Sequence, residues 1–274
     1  MSMALGFLSA VERTYEEYSA NALQVFCKSP RGRFEKPLDL EEAAKVKKYV
    51  EEKNIYLFSH ASYMLNFGKP LDEDLWPIQS LVSDLIKTQA LGGRGVVLHV
   101  GKYLERDKAE AFEYMKINLN KVLEETSDLD IPILLETTAG QGTEIGYRFD
   151  ELATVYDLLI SKGRVKFCFD TAHVFAAGYD LRTKDKVKET FTEFDKYLGV
   201  DNLKLIHLND SKKAFESRVD RHANFEADDA MIGKVGIKSV MEFAINKEIP
   251  MVIETPEKDG RNHLDDLEII REWI

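Results

Sequence analysis

The sequence has few of the residues that mark secreted, membrane-spanning or fibrous proteins. Its 274 residues include two cysteines, two tryptophans and seven prolines. A disulfide framework is therefore excluded, and a reducing compartment, the cytoplasm, is expected. No apolar run reaches the roughly 18 residues of a transmembrane helix, and no basic segment precedes an apolar one as in a secretion signal. Hydrophobic residues at 44% and charged residues at 31% are typical of a globular protein.

The sequence also lacks an excess of positive charge. Lysine and arginine number 37 against 48 aspartates and glutamates, which gives a formal net charge of −11. This balance argues against a protein that coats nucleic acid by bulk electrostatics. An enzyme that acts on nucleic acid stays open, because bound divalent metals would add positive charge at the site itself.

Short apolar runs alternate with longer amphipathic segments along the chain. The runs are 22–27, 55–59, 95–99, 131–136, 165–170, 203–208 and 250–254. The segments with helical spacing are 40–52, 76–91, 108–125, 150–161, 184–198, 238–246 and 264–273. This alternation predicts parallel strands joined by right-handed helical crossovers.

Seven strand–helix repeats over 1–274 indicate one α/β domain, a TIM (β/α)8 barrel whose first strand is missing. Segment 1–18 has the pattern of a helix and its approach, and 3–8 would form at best a poor strand. An open doubly wound sheet is the alternative fold.

Histidines and carboxylates recur where the predicted strands end. Successive members are 34 to 47 residues apart, and they are His60, His99, Glu136, Asp170, His207 and Glu254. In a parallel barrel the carboxyl ends of the strands form one ring, so these side chains would converge. Burying so many carboxylates and imidazoles together is costly unless cations compensate their charge.

Two local motifs supply further ligands. His173 lies three residues after Asp170, and Asp220 and His222 are two residues apart, so an extended loop can direct both to one side. Nine candidate ligands exceed the needs of two ions, and with one bridging carboxylate they predict three. Histidine with carboxylate suits Zn²⁺, with Mn²⁺ or Fe²⁺ as alternatives. Clustered metals of this kind are suited to phosphodiester hydrolysis.

Seven segments of the sequence resemble endonuclease IV, the family of trinuclear-zinc apurinic/apyrimidinic endonucleases with a xylose-isomerase-like barrel. They are SHASY at 59–63, VLHVG at 97–101, LETTAGQG at 135–142, DTAH at 170–173, HLNDSK at 207–212, SRVDRH at 217–222 and IETP at 253–256. They span most of the chain in the order of the family.

The resemblance implies three zinc sites. The first would be held by His60, His99 and Glu136, the second by Glu136, Asp170, His207 and Glu254, and the third by His173, Asp220 and His222. Glu136 would bridge two ions, and Glu254 would orient or deprotonate the nucleophile, so both are expected to be catalytic. The implied reaction cuts DNA 5′ to an abasic site in base excision repair, leaving a 3′-hydroxyl and a 5′-deoxyribose phosphate.

DNA contacts follow from the same resemblance. Tyr63 matches a residue that probes the duplex at the lesion, and Met64 beside it offers an apolar wedge. Arg31 matches an arginine that enters the base stack. Backbone phosphates would be met by Lys212, Arg218 and Arg221. The expected partner is double-stranded DNA with an abasic site. The protein is expected to be a monomer and not to bind a membrane.

The chain departs from the family pattern in two places. The first barrel strand and its loop histidine are missing, so we expect a barrel that is open or patched between its first and last strands. In addition, the loop after His222 is longer and more acidic than the glycine-containing loop of the family, which alters the expected phosphate contacts.

Two other functions remain open. A sugar isomerase or epimerase of the same barrel type would need one or two metals, and the third cluster of His173, Asp220 and His222 distinguishes a nuclease from it. A protein that binds damaged DNA without cutting it is the non-enzymatic alternative, which an incision assay separates.

Overall fold

The computed structural model describes residues 6–258 and 260–274 of the chain. Its α-helices are α1 (Phe7–Glu16), α2 (Leu40–Glu52), α3 (Trp76–Ala90), α4 (Lys108–Glu125), α5 (Phe149–Asp157), α6 (Thr171–Ala177), α7 (Lys184–Leu198), α8 (Gly233–Asn246) and α9 (His263–Arg271). Its strands are β1 (Ala22–Val25), β2 (Tyr56–His60), β3 (Val96–Leu98), β4 (Ile133–Glu136), β5 (Val165–Asp170), β6 (Leu203–His207), β7 (Asp210–Ser211), β8 (His222–Ala223) and β9 (Met251–Val252).

Each of the seven apolar runs overlaps a strand, and every predicted helical segment overlaps a helix. Helix α2 shows why the pattern works. Asp39 accepts hydrogen bonds from the amides of Glu41 and Glu42 and caps the helix, and the buried residues Ala43, Val46 and Val50 then follow at helical spacing. Helices α2, α4 and α7 have the predicted bounds.

The chain divides into two compact units, and the first comprises Met1–Leu135 and Thr154–Lys166. Strands β1 to β4 pair in parallel in chain order, with Val25 opposite Ser59, His60 opposite Val97, and Val97 opposite Leu134. All three residues of β3 are buried, as are four of the five residues of β2. Such continuous burial is typical of a parallel sheet that is covered on both faces.

The second unit comprises Glu136–Ala153 and Phe167–Ile274. Strand β6 pairs in parallel with β5 and with β9, and His207 lies opposite both Asp170 and Val252. Strands β7 and β8 form a separate antiparallel pair. The sequence analysis did not predict this pair, nor helix α6, whose first turn Asp170 caps by accepting a hydrogen bond from the His173 amide.

The predicted weak strand at 3–8 lies partly outside the described residues, which begin at Gly6. Phe7 and Leu8 belong to α1, so no strand is present in the described part of that segment. The prediction of one domain over 1–274 stays a prediction. Of the helices in the described ranges, none is both long and apolar enough to cross a bilayer.

Candidate metal centre

Four of the predicted ligands lie at strand ends in the second unit. Glu136, Asp170 and His207 are the last residues of β4, β5 and β6, and each is 0% exposed. Glu254 follows β9, and its side chain is 21% exposed. The four residues each offer one ligand atom, and these atoms lie within 4.8 Å of one another. The strand ends therefore bring the side chains of these four residues together.

His207 lies at the centre of this group, which we call the strand-end cluster. Its Nδ1 is 3.0 Å from Glu136 Oε1, 3.2 Å from Glu254 Oε2 and 3.7 Å from Asp170 Oδ2. Burial by itself would lower the pKa of His207, but the negative charges around it raise that pKa well above its usual value. The same negative charges would also attract a metal cation.

A second group of ligands shares Asp170 with the first. One ligand atom from each of Asp170, His173 and His222 lies within 4.8 Å of the others. His173 is in the first turn of α6, and His222 begins β8. Asp220 joins them, because its Oδ1 is 3.2 Å from His173 Nε2 and 3.6 Å from His222 Nε2. We call these four residues the helix-end cluster.

The imidazoles of the helix-end cluster are oriented as metal ligands usually are. His173 Nδ1 is 2.9 Å from the Thr137 carbonyl, and His222 Nδ1 is 3.2 Å from the Glu254 carbonyl. A proton on each Nδ1 leaves the lone pair on Nε2, the arrangement that protein backbones commonly impose on metal-binding histidines.

The surroundings of the His222 imidazole show whether a cation would fit in the helix-end cluster. Its Nε2 is buried and accepts or donates no hydrogen bond within the described part of the chain, and it lies 3.5 Å from Asp170 Oδ2. A lone pair facing a carboxylate oxygen is repulsive unless a proton or a cation stands between them. Since imidazole nitrogen and carboxylate oxygen are typical zinc ligands, the residues present fit such a metal.

Three buried polar residues that the sequence analysis did not single out hold these ligands in place. Asn209 donates from Nδ2 to Asp170 Oδ2 at 2.7 Å, and its Oδ1 accepts the Glu254 amide at 2.7 Å. Thr137 accepts the Asp170 amide at 2.9 Å, and Thr171 accepts the Asn209 amide at 2.7 Å. Their signal in the sequence is a polar residue within two positions of a ligand, at the end of an apolar run.

Two more predicted ligands lie in the first unit. His60 ends β2 and His99 follows β3, and their ring centroids are 5.3 Å apart. His60 Nδ1 is 2.6 Å from the Ala61 carbonyl, which again leaves Nε2 with the lone pair. The ring of Tyr63 is 5.0 Å from that of His60 and 5.9 Å from that of His99.

The residues predicted to enter the DNA duplex lie on two joined loops of the first unit. Tyr63 and Met64 are 46% and 48% exposed after β2, and Arg31 is exposed after β1. The Pro30 carbonyl accepts hydrogen bonds from the Tyr63 amide at 3.0 Å and from the Ser62 hydroxyl at 2.9 Å. These bonds hold Arg31 and Tyr63 on adjoining backbone.

The residues predicted to meet phosphates are exposed in the second unit. The guanidinium of Arg218 lies 4.2 Å from the ring centroid of Tyr147, and that of Arg221 donates to the Asp220 carbonyl. Lys212 Nζ is 2.5 Å from Asp229 Oδ2. All three DNA-contact assignments in this unit stay predictions.

Comparison with known sequences shows the family to which the chain is related. Residues 13–273 match the family described as the xylose isomerase-like TIM barrel. The chain is 36% identical to "Probable endonuclease 4" of Nitrosopumilus maritimus (strain SCM1), over 96% of this chain and 91% of the relative. It is 35% identical to the protein of the same name from Halothermothrix orenii, over 98% of this chain and 96% of the relative.

Solved structures also include an endonuclease IV among those similar to this chain. The crystal structure of endonuclease IV from Thermus thermophilus matches with a TM-score of 0.84 and 31% identity, covering 98% of this chain and 94% of that one. A D-tagatose 3-epimerase-like protein matches with a TM-score of 0.68 at 16% identity, covering 97% and 92%, and shows a shared fold alone. The predicted TIM barrel and the predicted resemblance are confirmed, and the chain belongs to the endonuclease IV family of xylose isomerase-like barrels.

Proposed function

We propose that this chain is a zinc-dependent endonuclease that hydrolyses the DNA phosphodiester 5′ to abasic sites in base excision repair. The products would be a 3′-hydroxyl and a 5′-deoxyribose phosphate. One observation carries the proposal: seven histidines and carboxylates of the second unit converge in two clusters that share Asp170. A single metal needs about four ligands, so this set is larger than one ion requires.

The family resemblance divides the nine ligands among three ions. Two of these groups lie within the second unit, where Glu136, Asp170, His207 and Glu254 would hold one ion and His173, Asp220 and His222 another. His60, His99 and Glu136 would hold the remaining one. Zinc ions bound there would neutralise phosphate charge and make water nucleophilic near neutral pH, and Mn²⁺ or Fe²⁺ could replace zinc at individual sites.

Glu254 is the residue best placed to act on the attacking water. It is the one member of the strand-end cluster whose side chain reaches solvent, with 21% exposure against 0% for Glu136 and His207. The Asn209 side chain fixes its backbone amide, so the Glu254 carboxylate is held at the edge of the cluster. From there it can orient a water molecule and accept its proton. Glu136, fully buried, would bridge two ions.

The exposed residues described above would bind the substrate. Arg31, Tyr63 and Met64 would enter the duplex at the lesion, while Lys212, Arg218 and Arg221 would hold backbone phosphates. An abasic sugar has no base to unpair or unstack, so its extrusion costs less than that of an intact nucleotide. We expect the protein to do this as a monomer in the cytoplasm.

The test is incision of a labelled duplex that carries one tetrahydrofuran abasic analogue. We expect one cut on the 5′ side of the analogue, lost after chelation and restored by zinc, and no cut in the matched undamaged duplex. Metal content measured in parallel shows that the protein is loaded. Failure of loaded, folded protein to cut would refute the nuclease proposal; retained lesion binding would then indicate a damage-binding protein, and turnover of ketose sugars an epimerase.

A further inference from the structure

The segment between β8 and α8 is acidic and adjoins a predicted metal ligand. This segment, residues 224–232, begins two positions after His222 and contains Glu226, Asp228 and Asp229 but no lysine, arginine or histidine. We call it the acidic loop. Negative charge beside a DNA-binding surface repels the phosphate backbone, so the acidic loop should weaken DNA binding.

The start of the acidic loop is firmly anchored. Phe225 is 0% exposed, and its ring meets that of Trp273 edge-on with centroids 5.7 Å apart. The Phe225 amide donates to Asp266 Oδ1 at 3.2 Å, and the Asn224 side chain donates to Asp266 Oδ2 at 2.7 Å. The Phe225 carbonyl accepts from Arg261 at 2.7 Å.

The end of the loop is anchored equally well, to β7. The Met231 amide donates to the Ser211 carbonyl at 2.9 Å. The Asp210 carboxylate, 1% exposed, accepts the amides of Ile232 and Gly233, both at 2.8 Å. Both ends of the acidic loop are therefore fixed by hydrogen bonds to neighbouring elements.

The carboxylate of Asp229 lies against the residue that follows β7. Its Oδ2 is 2.5 Å from Lys212 Nζ, and the Lys212 amide donates to the Arg221 carbonyl at 2.8 Å. The ion pair is accessible, with 42% and 44% of the two side chains exposed. Exposed ion pairs of this kind are weak, so a DNA phosphate can compete for the lysine.

We infer that Asp229 is a specificity-determining residue that occupies Lys212 and thereby weakens the binding of undamaged DNA. This inference rests on the proposed function, because it takes DNA as the substrate. A phosphate contact by Lys212 would form on any duplex and would not discriminate the lesion. Pairing Lys212 with Asp229 weakens that indiscriminate contact, while the residues of the first unit that would probe the lesion keep their role.

The experiment measures binding of the metal-loaded protein to a labelled undamaged duplex by fluorescence anisotropy across a salt series. We expect Asp229→Asn to bind this duplex about two- to fivefold more tightly, the range that exposed ion pairs contribute. The salt dependence should steepen by up to about 0.9 in the slope of log affinity against log salt, as expected for one added phosphate contact. The ratio of affinities for abasic and undamaged duplex should fall.

Asp228→Asn is the matched control, because Asp228 is the neighbour of Asp229 on the same loop and the substitution changes the charge equally. It should leave the slope unchanged. Lys212→Gln added to Asp229→Asn should cancel the gain of the single variant. Equal effects of the two asparagine variants, or an undiminished gain in the double variant, would overturn the inference. If the wild type also fails to incise abasic duplex, the proposed function falls with it; if it incises, the inference alone is wrong.

Discussion

The buried pair of Lys28 and Asp84 predicts how the stability of the chain depends on pH. Asp84, on α3, is 0% exposed, and its Oδ1 is 3.2 Å from Lys28 Nζ. Lys28 also donates to the carbonyl and hydroxyl of Ser80, at 2.8 and 2.7 Å. Burial outweighs the attraction of Lys28 and raises the pKa of Asp84 from 3.8 to about 7.

The direction of the pH dependence follows from how many protons Asp84 binds in the folded protein and in the unfolded chain. Between the unfolded pKa of 3.8 and the folded pKa of about 7, the folded protein holds the Asp84 proton and the unfolded chain does not. The contribution of Asp84 to the free energy of unfolding is therefore greatest below the unfolded pKa and falls as pH rises through the folded pKa. With these two pKa values, the fall between about pH 5.5 and about pH 8 is about 2 kcal/mol.

The assay is urea unfolding of the wild type and of Asp84→Asn at both pH values. The asparagine does not titrate, so the difference between the two proteins isolates Asp84. We expect the wild type to lose about 2 kcal/mol relative to the variant on going to the higher pH, or about 4 to 8 °C in Tm. A difference that stays constant between the two pH values would refute the reasoning.

Glu35 supplies a second test, since it lies beside Lys28 and its own pKa is shifted in the opposite direction. Partial burial favours its neutral form, but hydrogen bonds from Lys87 and Ser83 lower its pKa below the usual 4.5. Both its folded and unfolded forms are thus ionised above about pH 5.5. The charge of Glu35 also helps to raise the pKa of Asp84, so Glu35→Gln should reduce the fall in stability between the two pH values.

Three further predictions concern the site. Glu254→Gln should keep its metals, measured by elemental analysis, and lose at least about 100-fold in incision rate, because it can no longer accept a proton; wild-type incision would exclude the role. Tyr63→Ala should weaken binding of abasic duplex about tenfold at unchanged metal content, and unaltered affinity would remove Tyr63 from the lesion contact. Asp210→Ala should lower the stability by about 1 to 2 kcal/mol in thermal unfolding, since it removes the acceptor for two amides at the start of α8; an unchanged Tm would show that water replaces it.

The sequence was most informative where local pattern and global fold agree. Strands buried on both faces are nearly continuous apolar runs, so β2 to β6 were visible without any structure. The polar residue that ends such a run stands out against it, and Glu136, Asp170 and His207 were found by that contrast alone. The convergence of Asp170, His207 and Glu254 in the second unit followed from the parallel order of β5, β6 and β9.

Elements that depend on distant partners could not be predicted in this way. Helix α6 has seven residues and starts directly at the end of β5, so it shows no periodicity of its own. Helix α8 begins at Gly233 rather than at the predicted Lys238, because the distant Asp210 accepts the amides at its start. The ion pair of Lys212 with Asp229 likewise depends on how the acidic loop is anchored at Phe225 and Met231.

Asp170 shows why the ligands and the fold are specified together. It ends β5, and its Oδ1 caps α6 by accepting the His173 amide at 2.8 Å. Its Oδ2 accepts from Asn209 at 2.7 Å and lies 3.5 Å from His222 Nε2. The carboxylate that would bind metal is thus also the one that starts the next helix and positions the ligand His173. Because one residue serves both purposes, a pattern that reveals the strand end also reveals the chemistry.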